Sequence, residues 1–338
     1  MTPVTTSGPA NADPWNARTV LDRIRPTVRD SRQDAGKERV FHALGTPCRV
    51  IASGPAPAVE EFLQATLAWV AAFEAKYSRF LPGSWISCLN ASAGGSAVES
   101  DPETDRLLAL CHEMNFLSRG AFDPTALPLI RLWDWKTGRI PSDPEIEEAR
   151  RRTGWRRLER KPGSVRLAET GMSLDLGGMG KEYAVDQVTL LAQRCGVTGA
   201  LVDFGADIRV FGVPADGRPG WHIGLEDPDR PGTAWCGLAV MNAAVASSGD
   251  YVRRFEAGGR RYGHILDIRT GRPVDNGCRA VNVLAPSCTL AGMLSTAAFV
   301  LGPVDGLKLI ETQAGAEGAL HLGQKRITSR RFHEHVVN

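Results

Sequence analysis

The stretch LDLGGMGKEYAVD, Leu174 to Asp186, combines a glycine turn, a lysine and the start of a helical pattern. A glycine turn entering a helix N-terminus gathers unpaired backbone N–H groups at the positive end of the helix dipole. Lys181 adds a full positive charge there. The chemistry indicated is recognition of a phosphate-bearing ligand. It is neither of the common nucleotide fingerprints. Asp175 stands at the first Gly position of a Walker A loop and Glu182 follows the lysine, while Tyr183 occupies the last Gly position of G-x-G-x-x-G.

Four further stretches carry more than packing requires. In LGTPCRV, Leu44 to Val50, a Gly-Thr pair opens an apolar strand. It could let backbone approach a ligand, or simply make a turn. In GAFDPTALPLIRLWDW, Gly120 to Trp135, Gly and two prolines stiffen a loop around Asp123. Asp123 could accept hydrogen bonds from a ligand or cap the following turn. In VASSGDYVRRFEAGGRRYGHILDIRTGRPV, Val245 to Val274, the residues Ser247 to Asp250 read as a polar turn. His264 and Asp267 lie three apart there, on opposite faces of an extended chain, so only a loop could converge them. In APSCTLAGMLSTAAFVLG, Ala285 to Gly302, position 292 and Thr296 share one face of a helix. An acid at 292 would form an oxygen pair with Thr296 suited to a hard cation such as Mg²⁺, but the residue is Gly292. There is no H-E-x-x-H, no G-x-S-x-G and no metal-spaced Cys/His cluster.

These residues need a scaffold to hold them. Arg39 to Ser53 predicts a strand pair or one bent strand. Helices are predicted over 59–77, 105–119, 144–152, 181–195 and 290–301, with a further one ending at Ile310–Glu311. Strands are predicted over 173–176, 200–204, 208–213, 221–225, 237–245 and 280–284. Alternating helices and strands with hairpin-like groups indicate a mixed α/β domain, not a purely parallel doubly wound one.

Composition narrows the partners. A net charge of +2 over 338 residues gives no reason to expect nucleic acid. The mixed-sign run around Arg150 to Lys161 reads as a solvated face. Seven scattered cysteines without C-x-x-C suggest a reducing compartment, with neither a disulfide framework nor a zinc site. No apolar run approaches the roughly 20 residues of a membrane span. The start of the chain shows no secretory pattern and no lipid-anchor cysteine, so a cytoplasmic location is expected. Residues 1–36, rich in Pro, Thr, Ser, Asp and Arg, are expected to be a mobile leader ahead of one domain over 37–338.

Taken together and in order, the five stretches resemble the FAD:protein FMN transferases, the ApbE family. LGT stands where the family has M-G-T, and GAFDPTALPLIRLW matches G-x-F-D-x-T-x-x-P-L-x-x-L-W. LDLGGMGKEYAVD matches L-D-L-G-G-x-x-K-x-Y-A-x-D, followed by SGDY and HILDIRTGRPV. The resemblance runs from about Leu44 to Gly302. It implies a mixed α/β fold related to the T-fold, with an FAD cleft. It implies Mg²⁺-assisted cleavage of FAD, transfer of FMN to a Thr or Ser of a target protein, and release of AMP.

By the same resemblance, Leu44, Phe80, Ala121, Phe122, Asp123, Asp175, Lys181, Leu266 and Ser295 would contact FAD. The carbonyl of Gly178 and the hydroxyl of Thr296 would face the metal, and His264 would handle a proton or position phosphate. The acceptor would be a flavoprotein such as a reductase subunit. The chain shows no flavinylation target of its own.

The departures are specific. The family's A-D-A-L-A-T reads AGMLST here, so Gly292 replaces the metal-binding Asp. Ile268 replaces a Pro, Glu182 a Gly, Ala206 a Gly and Ser247 a Thr. Two readings follow. In one the chain is a Mg²⁺-dependent transferase in which another acid, Glu182 being a candidate, replaces the lost ligand. In the other it is a metal-poor relative that keeps FAD intact, as a cofactor or carrier or for different chemistry. Restoring an aspartate at 292 is expected to raise metal-dependent cleavage.

Overall fold

Nine strands pair in the order in which the chain makes them. They are β1 (Arg29–Gln33), β2 (Gly36–Ala43), β3 (Thr46–Ser53), β4 (Gly199–Phe204), β5 (Asp207–Gly212), β6 (Ala244–Gly249), β7 (Ala280–Ala285), β8 (Glu317–Leu322) and β9 (Lys325–Thr328). Every neighbouring pair is antiparallel. A computed structural model describes residues 15–134 and 136–337. Nine helices lie among the described residues. They are α1 (Ala17–Ile24), α2 (Ala56–Tyr77), α3 (Trp85–Ala91), α4 (Pro102–Leu117), α5 (Leu127–Leu132), α6 (Asp143–Arg151), α7 (Gly180–Arg194), α8 (Cys288–Leu301) and α9 (Pro303–Glu311).

The period of two along the strands shows where the core lies. Cys48, Val50, Ala52, Ala200, Val202, Phe204, Ala244, Ala246, Val281 and Val283 point into one cluster with side chains of α2, α7 and α8. The alternate residues Ile51, Leu201, Ile208, Val210, Val245 and Leu284 point the other way. There they meet Trp221, Ile223, Leu225, Leu238 and Val240 from a smaller antiparallel sheet, Trp221–Asp227 and Arg230–Val240. The central strands are thus covered on both faces, which is why they read as continuous apolar runs. Full burial of a side chain such as Phe204 stabilises by about 1.5–3 kcal/mol.

The predicted helices form with ends shifted by a few residues, and the predicted pair over 39–53 is the β2–β3 hairpin. Three expectations differ. The expected strand 237–245 divides into Arg230–Val240 and β6, because Asn242 turns the chain with φ 50°. Ser173–Leu176 joins no ladder. Its backbone is satisfied by the amide of Asn90, which accepts from Leu174 N–H at 2.6 Å and donates to Leu174 O at 3.0 Å. Asp175 N–H donates to Pro124 O at 2.8 Å. Of the expected leader, residues 1–14 lie outside the described residues. From Trp15 onward it is built into the fold: Val20 and Ile24 of α1 are buried in the core, and β1 pairs with β2.

Candidate functional site

Two hairpin tips meet at one edge of the site. Leu44 and Gly45 join β2 to β3, and Gly205 and Ala206 join β4 to β5. Each is a two-residue turn with φ positive at both positions: 53° and 71° in the first, 64° and 69° in the second. That backbone matches the twist of the strands but crowds any Cβ. Leu44 and Ala206 hold it without being glycine. The strain is offset at Leu44 by Glu74 of α2, whose buried carboxylate accepts Leu44 N–H at 3.0 Å. At Ala206 the amide donates to Asp203 at 2.9 Å. The tips touch: Gly205 N–H donates to Pro47 O at 3.0 Å, and a side chain at 205 would collide with Thr46. LGT is therefore a turn, packed against the Gly205 tip.

Behind the tips, α7 begins without a side-chain cap. Lys181 in its first turn pairs with the buried Asp207 at the start of β5, and lies 3.3 Å from Glu182 Oε1. Glu182 is itself buried, and its Oε2 has no partner. Helix α8 runs beside α7. A Cβ built on Gly292 would stand 3.0 Å from Glu182 Cδ and 3.2 Å from Oε1, and closer still to Cγ. Glu182 thus fills the place a side chain at 292 would take. Gly292→Asp, expected from sequence to be restorative, meets an occupied position.

One turn further along α8, Ser295 and Thr296 face β6. Ser248 Oγ is 2.9 Å from Ser295 Oγ and 3.2 Å from Thr296 Oγ1, and Ser295 also donates to Gly292 O at 3.0 Å. Ser247–Gly249 are strand residues, not the expected turn. Ser247 pairs with Asn282, whose amide donates to Ser247 Oγ at 2.7 Å and so tolerates the polar residue in the sheet.

The loop motifs close the other side. Phe122 is buried against Gly178, where an added Cβ would lie 3.2 Å from its ring. Asp123 spends both oxygens on the protein. Oδ1 accepts from Thr125 N–H at 2.8 Å and from its hydroxyl at 2.6 Å, and Oδ2 accepts from Trp155 N–H at 3.0 Å. Burial nevertheless pushes its carboxyl above the usual range. Asp175 is likewise raised by burial, against Arg79 at 3.0 Å and the N–H of Gly177. Arg79 also lies over Phe80, which is 76% exposed. Ala121 is buried beside Phe122.

His264 follows the hairpin Arg254–Ala257/Arg260–Gly263. Its Nδ1 is 3.3 Å from Arg253 O, and a carbonyl only accepts. The proton therefore sits on Nδ1, leaving the lone pair of Nε2. Burial, then the charge of Arg253, lowers its pKa to about 4, so the ring is neutral near pH 7. Asp267 does not join it. Asp267 chelates Arg269 at 2.8 Å and its carbonyl closes the turn to Gly271. Leu266 is buried with Leu129 and Trp133, and Trp133 Nε1 donates to Gly271 O at 2.8 Å. That bond ties the His264 loop to the Phe122 loop.

The structure thus brings Ser295 and Thr296 together at Ser248, sets Lys181 against Asp207 and Glu182, and packs Phe122 against Gly178. Sequence reasoning gave no role to Asp207 and Ser248, and none to Asp186, whose carboxylate accepts from Cys288 N–H at 2.8 Å and from Thr289 N–H at 2.9 Å and hydroxyl at 2.6 Å, while pairing with Arg209 at 2.8 Å. Two signals for Asp186 were available: it is the last residue of the matched motif L-D-L-G-G-x-x-K-x-Y-A-x-D, and it stands four residues after Glu182 on one helix face.

Residues 44–320 match the ApbE family. The chain is similar to the FAD:protein FMN transferase of Treponema pallidum (strain Nichols), 31% identical over 303 residues covering 84% of each chain. It superposes on the ApbE protein of Thermotoga maritima MSB8 with a TM-score of 0.80, at 31% identity over 92% of this chain and 100% of that one. With the apo flavinyl transferase ApbE of Pseudomonas stutzeri the TM-score is 0.77, at 30% identity over 91% of this chain and 96% of that one.

Proposed function

The chain belongs to the ApbE family, and from that premise we propose that it is an FAD:protein FMN transferase acting on a Thr or Ser hydroxyl of a partner flavoprotein. The acceptor oxygen forms a bond to the FMN phosphorus, the phosphoanhydride bond to AMP breaks, and AMP leaves. The hydroxyl proton passes to Nε2 of His264, which the Nδ1 contact to Arg253 O keeps ready to accept it. Lys181 and the uncapped start of α7 bind the anionic phosphates. The ring of Phe80, exposed in this structure, and the loop of Ala121 and Phe122 would line the flavin cleft, with Leu44, Asp175, Leu266 and Ser295 completing the FAD contacts and Asp123 holding the loop through Thr125 and Trp155.

The observation that carries this reading is that Lys181, at the uncapped start of α7, pairs with Asp207 of β5, while Glu182 of the same turn lies over Gly292 of α8.

A magnesium ion fits the same place. Among the described residues no three His, Cys, Asp or Glu side chains gather as a metal-binding group. Mg²⁺ is commonly held by one or two carboxylates plus substrate phosphates, so a single carboxylate suffices. The buried, unpartnered Oε2 of Glu182 shows that a carboxylate is present without a protein partner for that oxygen. The carbonyl of Gly178 and the hydroxyl of Thr296 would hold the ion. When bound it would neutralise phosphate charge and stabilise the AMP leaving group.

The test is incubation with FAD and a Thr-bearing acceptor, with and without Mg²⁺, reading AMP and covalent flavin. Equal amounts of both, only with metal, are expected. Stoichiometric binding of intact FAD with no AMP would overturn the transferase reading.

A further inference from the structure

We propose that Glu182 supplies the metal-binding carboxylate of this site, reaching from α7 into the space left by Gly292 on α8, so that the two positions form one exchange. The proposal rests on the transferase reading for the substrate but on the chain's own geometry for the site. Glu182 is a charged residue with a 9% exposed side chain. Lys181 sits 3.3 Å from one of its oxygens and also pairs with Asp207, while the other oxygen has no partner. A buried carboxylate oxygen without a donor is costly, so it points to a further partner at that place.

The location is specific. Glu182 Cγ and Cδ occupy the volume over Gly292, and position 292 lies one turn before Thr296 on the same face of α8. Thr296 Oγ1 is in turn 3.2 Å from Ser248 Oγ. A carboxylate delivered over 292 therefore reaches the same hydroxyl-lined spot that a side chain rooted at 292 would reach. Any residue larger than glycine at 292 would collide with Glu182, so position 292 can take a side chain only if 182 gives up its own. The ligand class is a hard divalent cation carrying a substrate pyrophosphate.

The experiment titrates Mn²⁺ into the full chain with ADP present, following loss of the free-ion EPR signal, alongside thermal unfolding. ADP stands in for the pyrophosphate and contains no flavin to transfer. Wild type is expected to bind Mn²⁺. Glu182→Gln keeps the shape and should weaken binding at least tenfold with little change in melting temperature. Gly292→Asp alone should lower the melting temperature and bind no tighter than wild type. The double exchange Glu182→Gly with Gly292→Asp should return Mn²⁺ affinity to within about threefold of wild type. Unchanged binding in Glu182→Gln, tighter binding in Gly292→Asp alone, or a folded double variant that binds no metal would each overturn the proposal. Glu182-dependent Mn²⁺ binding without FMN transfer would sink the transferase reading and leave this one standing. FMN transfer with Mn²⁺ binding indifferent to Glu182 would do the reverse.

Discussion

Helices α7 and α8 lie side by side on the same face of the sheet, yet their chemistry is opposite. Helix α7 carries Lys181, Glu182 and Asp186 on its first turns. Helix α8, CTLAGMLSTAAFVL, has no charged residue at all. Both places on α8 where charge is wanted receive it from α7. Asp186 holds the α8 N-terminus through two backbone N–H groups and the Thr289 hydroxyl, where the helix dipole favours an anion. Glu182, one turn earlier on α7, lies over Gly292. A small-residue helix can pack tightly and still sit at the centre of a polar site, provided its neighbour brings the carboxylates.

That division can be broken most severely at Asp186. Asp186→Ala leaves Arg209 and the α8 N–H groups without their buried partner. It should destabilise the chain by about 3–5 kcal/mol in denaturant unfolding. Asp186→Asn, which keeps acceptor capacity without charge, should lose less. A loss equal to that of alanine would mean that charge, not shape, is what α7 supplies.

His264 belongs to neither helix and sharpens the contrast. His264→Gln should lower the rate of FMN transfer by about 10²–10⁴-fold, the usual scale for a positioned base. Mn²⁺ affinity and melting temperature should stay within error. A parallel loss of metal binding would place His264 with the α7–α8 pair.

A third expectation concerns the far strands, where His321 of β8 is fully buried and its pKa is pushed down to about 4 by burial and then by Arg326. The unfolded chain takes up a proton near pH 6.5 and the folded one only near 4. This contribution is therefore complete above about 6.5 and is lost as pH falls through that window to 4. His321→Asn should flatten the fall in stability between those values, without touching the dependence carried by the buried carboxylates of the site. An unchanged slope would mean that His321 does not titrate there.

The smallest effect is expected at Ala206, held at φ 69°. Ala206→Gly removes a left-handed Cβ and should stabilise by about 1 kcal/mol. Lower stability would mean that the Cβ packs against the neighbouring tip.

Much of this scaffold is visible in the chain. The long helices announce themselves by spacing and by their stops: Gly196 follows α7 with φ 76°, as a left-handed cap should. The motif segments are equally plain. What does not show is how they satisfy one another. Asp123 reads equally well as a ligand contact or a cap, and only the bonds to Thr125 and Trp155 reveal the cap. Residues 173–176 have the composition of a strand, but Asn90, distant in sequence, takes the backbone bonds a ladder would need. Gly292 reads as a missing ligand. Glu182 is a candidate replacement from sequence, but that it lies in the space over 292 shows only in the fold. Burial of both sheet faces likewise erases the alternation that would have placed Ser247 and Ser248 in a strand.

The meeting of the two hairpin tips also sets when the site can exist. Both hairpins are local and can form early, but β3 and β4 join residues such as Ser53 and Gly199 that are 146 positions apart. Closing a loop of that length costs roughly 4 kcal/mol in chain entropy before the ladder returns anything. That long-range pairing is the natural slow step of folding. Leu44 and Thr46 stand on one side of it, and Gly205 and Asp207 on the other. The pocket is thus assembled by the final closure of the sheet, so a chain stalled before it would hold helices and hairpins but no place for a nucleotide.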